Sequence, residues 1–201
     1  DKSIQAGEYV IAQHKKIKDL SALDADALQV FFAGLDNKNL QVEAMSAELE
    51  KKIAEMVRRN KKRAKFMERL VSLLQEYNSG AHDVDQLFDD LITLAKDLNE
   101  EEQRSVKENL TEEELAIFDL LVKENLNPDE VAIIKGATHE LLINLKPLLV
   151  PHWRDFETNR AGVKIAISDL LFTKLPEPTY TEKECELKGF EVYNFVYEHY
   201  Q

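Results

Sequence analysis

Apolar residues return every three to four positions through most of this chain, the spacing that lines them along one side of a helix. Ala6, Val10, Ile11, Ile17 and Leu20 predict a helix over 4–20. Asp24 caps a short second helix through Leu35, which stops in the turn from Gly34 to Asn39. Asn39 opens a longer stretch whose buried side is Leu40, Met45 or Ala44, Leu49, Ile53, Met56 and Val57. A basic knot, Arg58 to Arg63, interrupts that stripe and predicts a break near Asn60. The next helix buries Phe66, Met67, Leu70, Leu73, Leu74 and Tyr77, and it ends at Asn78-Ser79-Gly80, where glycine can take a left-handed conformation.

Leu87, Phe88, Leu91, Ile92, Leu94, Ala95 and Leu98 define a helix over 83–98, followed by a polar helix or turn from Glu100 to Asn109. Three later starts carry their own caps. Thr111 with Glu114 opens Glu112–Glu124, Asn127 with Pro128 and Glu130 precedes Val131–Leu149, and Thr181 with Glu184 opens the last helix through Tyr200. In each, a side-chain oxygen accepts from an amide without a helical partner, and the Glu returns the bond. One further amphipathic helix covers 157–173, and Pro176-Glu177-Pro178 forms a stiff connector. The pattern predicts an all-α fold, an irregular bundle of eight or nine helices with no sheet. Only six Gly and five Pro among 201 residues agree, because sandwiches and barrels need many turns. The one seam, near Ser79-Gly80, suggests a helical extension with a long basic helix over 1–80 and a C-terminal bundle over 81–201, unless the two are one continuous domain.

Charge changes this picture. The chain carries 26 basic and 38 acidic residues, a net charge of −12, which opposes general affinity for nucleic acid or anionic lipid. Residues 51–69 run the other way, with nine Lys/Arg against two Glu. At helical spacing these cations form a stripe about 27 Å long, enough to follow a phosphate backbone. Lys51, Arg58, Arg59, Lys62, Arg63, Lys65 and Arg69 are the candidate DNA-backbone contacts; a solvated face paired to the chain's own acidic surface is the alternative. Phe190, Tyr193, Tyr197 and Tyr200 give the last helix an aromatic side that can serve as core or dock on another subunit.

Enzymatic chemistry is hard to write. His139-Glu140 begins the zinc pattern H-E-x-x-H, but Ile143 stands where the second His belongs. No glycine loop for a triphosphate exists. Glu50-Lys51-Lys52 and Glu186-Leu187-Lys188 match a nuclease tripeptide, yet on helices their Glu and Lys point to different faces. The single Cys185 fits a reducing compartment and a small buried role, although the first turn of a helix can lower a thiol pKa. No catalytic, cofactor-binding or metal residue is assigned. No apolar run is long enough to span a membrane. The start Asp1-Lys2-Ser3, without Met or a signal segment, reads as a piece of something longer.

The run Asn60-Lys61-Lys62-Arg63, Phe66, Leu73 to Asn78 and then Leu87-Phe88 resembles the C-terminal helical region of the R subunit of type I restriction-modification enzymes. So do Glu101 to Arg104 with Leu110-Thr111 through Leu121, the Trp153 segment to Leu171, and the ending Val192-Tyr193 to Tyr200. The resemblance runs from about Glu43 to Tyr200. It implies a bacterial or archaeal, cytoplasmic parent chain: an ATP-dependent DNA translocase and endonuclease whose nuclease and helicase-like motor domains, with ATP and Mg²⁺, lie upstream. This region would be an assembly domain, not itself an enzyme, with the modification (methyltransferase) and specificity subunits as partners. The runner-up is a helical module that contacts duplex DNA through 51–69. Relatives often have Pro where Lys61 stands, so the break at Asn60 can also be a kink.

Overall fold

The computed structural model describes residues 37–200. The helices expected over 4–20 and from Asp24 to Leu35 lie outside the described residues. Among those described there are eight α-helices and no strand: α1 Lys38–Arg59, α2 Ala64–Asn78, α3 Val84–Glu102, α4 Arg104–Lys107, α5 Glu112–Leu121, α6 Pro128–Leu145, α7 Glu157–Lys174 and α8 Glu182–His199. A 3₁₀ turn, Lys61–Arg63, separates α1 from α2, so the chain breaks where the basic knot interrupts the apolar stripe. The fold is an all-α multi-helix bundle.

Two compact units divide the chain. The described part of the first comprises residues 37–55 and 64–102, and the second comprises 56–63 and 103–200. The turn at Ser79-Gly80, with Gly80 at φ +79°, lies inside the first unit between α2 and α3.

Within the first unit α2 and α3 pack as a hairpin, with Arg69 paired to Asp97. Lys38 pairs with Asp85, and Lys52 reaches Asn99 at 2.8 Å and Glu102 at 2.8 Å. The first two contacts share an offset of 47 residues, so α1 and α3 run in the same direction. The buried side of α1 here is Gln41, Val42, Met45 and Leu49 followed by Ile53. Leu40, expected in the core, is 59% exposed, because a stripe through Val42, Met45 and Leu49 leaves position 40 on the outer side.

In the second unit α5 packs on α6, α6 on α7, α7 on α8, and α8 back on α5, closing a four-helix ring. Its core joins Leu115, Ile117 and Leu121 of α5 to Ile134 and Leu141 of α6, Val163 and Ile167 of α7, and Val192 and Val196 of α8. Helix α5 is the central member and is buried continuously from Glu114 to Asp119.

All three capping boxes form, at Thr111/Glu114, Asn127/Glu130 and Thr181/Glu184. Helix C-termini depart from expectation. α6 ends at Leu145 rather than Leu149, since Pro147 has no amide to continue the ladder. α5 ends at Leu121 rather than Glu124. Tyr180 Oη donates to the Leu121 carbonyl at 2.7 Å, and Lys188 Nζ donates to that of Leu120, so distant side chains take over carbonyls a further turn would have bonded. Replacing Thr111 by Ala is expected to cost about 1 kcal/mol, read as a lower urea midpoint with unchanged slope. A midpoint equal to the parent's would deny the cap that role.

Candidate functional site

The break at Asn60 is anchored by polar groups of the second unit. Asn60 is buried; its Nδ2 donates to Asp119 Oδ2 at 2.6 Å, and its Oδ1 accepts the Lys62 amide at 3.0 Å. Asp119 also accepts from Arg104. Arg63 is only 2% exposed and its Nη1 donates to Glu112 at 2.9 Å. Burial alone would raise the Glu112 carboxyl. Hydrogen bonds from Arg63 and Ser105, with the charges of Arg63 and Arg59, outweigh it and hold that carboxyl below its ordinary 4.5.

The seven candidate DNA contacts are therefore not equivalent, and they do not share one helix. Arg63 is taken into the second unit as the partner of Glu112, and Arg69 pairs with Asp97 in the first. Lys65 is exposed, with its ammonium over the Phe66 ring at 5.1 Å. Lys51, Arg58, Arg59 and Lys62 are exposed. Lys61, next to them, pairs with Glu198.

The aromatic residues of α8 also divide. Tyr193 packs edge-on to Trp153 at 6.4 Å, with the Lys164 ammonium over its ring at 4.8 Å, and burial pushes its phenol up. The Tyr200 carbonyl accepts from Trp153 Nε1 at 3.0 Å and from both Nε and Nη2 of Arg154. Burial, then Glu113, raises the Tyr200 phenol strongly. Tyr193 through its ring and Tyr200 through its backbone carbonyl tie α8 to the Trp153 segment. Phe190 is 63% exposed; Tyr197 is 39% exposed, but its ring packs edge-on to Trp153 at 5.8 Å with the Arg154 guanidinium 5.1 Å over it.

α7 supplies neighbours that the sequence reading did not assign to a surface. A Cβ placed on Gly189 would stand 3.8 Å from Ser168 Oγ and 4.0 Å from Leu171 Cδ1, so α7 and α8 are in close contact there. Ile165 and Phe172 flank Ser168 at −3 and +4 on α7, and both are exposed, as is Leu187 on α8. Ile165 and Phe172 therefore share the side of α7 next to Phe190. The spacing from 165 to 172 was the available signal, since residues two turns apart fall on one side of a helix.

Other candidates resolve into structural roles. His139 does not begin a metal site: its Nδ1 lies 2.6 Å from Glu114 Oε1, while Glu140 pairs with Lys174. Glu114 is held below 4.5 despite the upward push of its burial, because the Thr111 amide and His139 hydrogen-bond to it. Lys52 and Lys188, from the nuclease-like tripeptides, pair with Glu102 and Glu191. Cys185 is buried, as expected, but its thiol is raised rather than lowered: burial and the carboxylates of Glu184, Glu177 and Glu182 outweigh the charge of Lys123. Among the described residues no group of three His, Cys, Asp or Glu could hold a metal, and no helix is long and apolar enough to cross a membrane.

The depressed carboxylates fix a pH dependence. Glu112, Glu114 and Glu184 have folded pKa values below their unfolded ones, that of Glu184 at about 2. Their contribution is complete above about 4.5 and is lost as pH falls through the folded values. The urea midpoint should hold steady from about pH 5 to 7 and drop between about pH 4.5 and 2. A midpoint that rose on acidification would contradict this.

A family model described as type I restriction enzyme HindI endonuclease subunit-like, C-terminal, matches residues 1–186. The chain belongs to this family. No curated protein and no solved structure matches it. The match accords with the resemblance drawn from Asn60-Lys61-Lys62-Arg63, the Thr111 helix and the Trp153 segment, and it makes this the C-terminal region of a type I restriction endonuclease-like subunit.

Proposed function

We propose that this region docks the type I endonuclease subunit onto its modification and specificity subunits. The observation that carries the reading is the α7–α8 surface, where Ile165, Phe172, Phe190 and Tyr197 stay exposed on a unit that already has a complete core. Exposed aromatic groups of this kind, with apolar neighbours, are frequent anchors at the buried centre of protein interfaces. On this reading nuclease and ATP-driven chemistry belong to the parent chain. The sequence contains no phosphate-cradling glycine loop, and among the described residues no group of three His, Cys, Asp or Glu could hold a metal.

Light scattering behind size exclusion tests it, mixing the chain with its cognate methyltransferase complex without DNA. The expected species is heavier by one or two copies of 23.2 kDa. Phe190→Glu combined with Ile165→Glu should weaken association at least about tenfold. Undiminished association by the folded double variant would sink the proposal.

The second reading, contact with a duplex backbone, rests on Arg59 and Lys62, which stay exposed beside the break. It requires DNA affinity to fall steeply with salt, and a flat dependence would remove it.

A further inference from the structure

The second unit contains a groove of about 260 Å³ between the break, α5 and α8. Ala116, Leu120 and Phe195 give it an apolar floor, and Asn60, Lys62 and Asn194 bring polar groups to it. Its size is below the roughly 300–1,000 Å³ of pockets that enclose whole small ligands, and suits one large side chain.

Charge is distributed unevenly around the mouth. Lys61 is neutralised by Glu198, and Lys188 pairs with Glu191 at 3.1 Å. Lys62, whose backbone amide is tied to Asn60, has no ion-pair partner among the described residues. The groove therefore combines an apolar floor, the Asn194 amide and one uncompensated cation.

We propose that this groove binds a peptide segment of a partner protein through one large apolar side chain next to a carboxylate, the carboxylate pairing with Lys62. A nucleotide fits less well for two reasons on the same surface. Phe195 is only 7% exposed and one face of its ring is taken by His199, 4.2 Å away and tilted 25°, which leaves little ring for a base to stack on. A phosphate backbone would also have to pass the carboxylates of Glu191 and Glu198, whereas a single carboxylate needs only Lys62. Neither Phe190 nor Ile165 lines the groove, although Asn194 stands one turn from Phe190 on α8, so the peptide titration tests this inference whether or not that surface docks.

The test is a titration of the ¹⁵N-labelled 201-residue chain with the amidated tetrapeptide acetyl-Glu-Leu-Phe-Glu, followed by heteronuclear NMR. Saturable shifts are expected at the Asn60 and Asn194 side-chain amides and the Lys61 and Lys62 backbone amides. Lys62→Ala should weaken binding about threefold and Lys62→Glu about tenfold. Asn194→Trp, which fills the groove from its rim, should remove the shifts while leaving the rest of the spectrum dispersed. A peptide with Ala in both apolar positions should not bind. The proposal is overturned by an absence of shifts up to about 5 mM peptide, by equal binding of the alanine peptide, or by thymidine 5′-monophosphate shifting these amides at lower concentration than the peptide.

Discussion

Replacing Trp153 by Ala is expected to destabilise the second unit by about 4 kcal/mol, the upper range for truncating a buried aromatic. Trp153 is fully buried in the connection between α6 and α7. Its ring meets the edges of Tyr193 and Tyr197, and its Nε1 donates to the carbonyl of Tyr200 at the end of α8. Truncation opens a cavity and leaves that carbonyl to Arg154 alone, so packing and hydrogen-bonding losses add. Trp153→Phe keeps most of the volume but loses the donor and should cost about 1–2 kcal/mol. Trp153 is the only tryptophan in the chain, so fluorescence reports this site in the parent, and far-UV circular dichroism must follow the variants. Equal urea midpoints for parent and Trp153→Ala would show that the indole does not hold α8 in place.

The second large effect is at the break. Asp119→Ala removes the carboxylate that accepts from both Asn60 and Arg104 in a buried setting, and about 3–5 kcal/mol should be lost. Asn60→Ala removes one partner and should cost about 1.5–3 kcal/mol, the range for a hydrogen bond to a charged group. Because the two side chains share one bond, the double variant should be less destabilised than the sum of the singles. Additive losses would mean that Asn60 and Asp119 act independently and that the break is held by Arg63 and Glu112 instead. This predicts a functional consequence as well. Anchoring of Asn60 and Arg63 leaves Lys62 on the surface, so Asp119→Ala should disturb whatever the groove and the neighbouring cations contact.

Much of the fold was legible because local rules acted on local sequence. Each capping box needs only residues three apart, and Thr111, Asn127 and Thr181 open α5, α6 and α8 as read. The break near Asn60 followed from an apolar stripe running into charge, where continuing the helix would have offered no buried face. Helix ends were less legible: Tyr180 and Lys188 cap α5 from about sixty residues away, and no local pattern encodes that.

The candidate surfaces divide along the same line. Composition and spacing determined an acidic all-α chain with a basic segment at 51–69, an aromatic last helix and the helix signatures of its family. Periodicity assigns side chains to a face but does not say what meets that face. Only the tertiary structure decided that Arg63 is buried against Glu112 while Lys62 stays outside, and that Tyr193, Tyr197 and the Tyr200 carbonyl brace Trp153 while Phe190 remains exposed. The physical reason is that burial and ion pairing depend on groups far apart in sequence, brought together by the ring of α5 to α8.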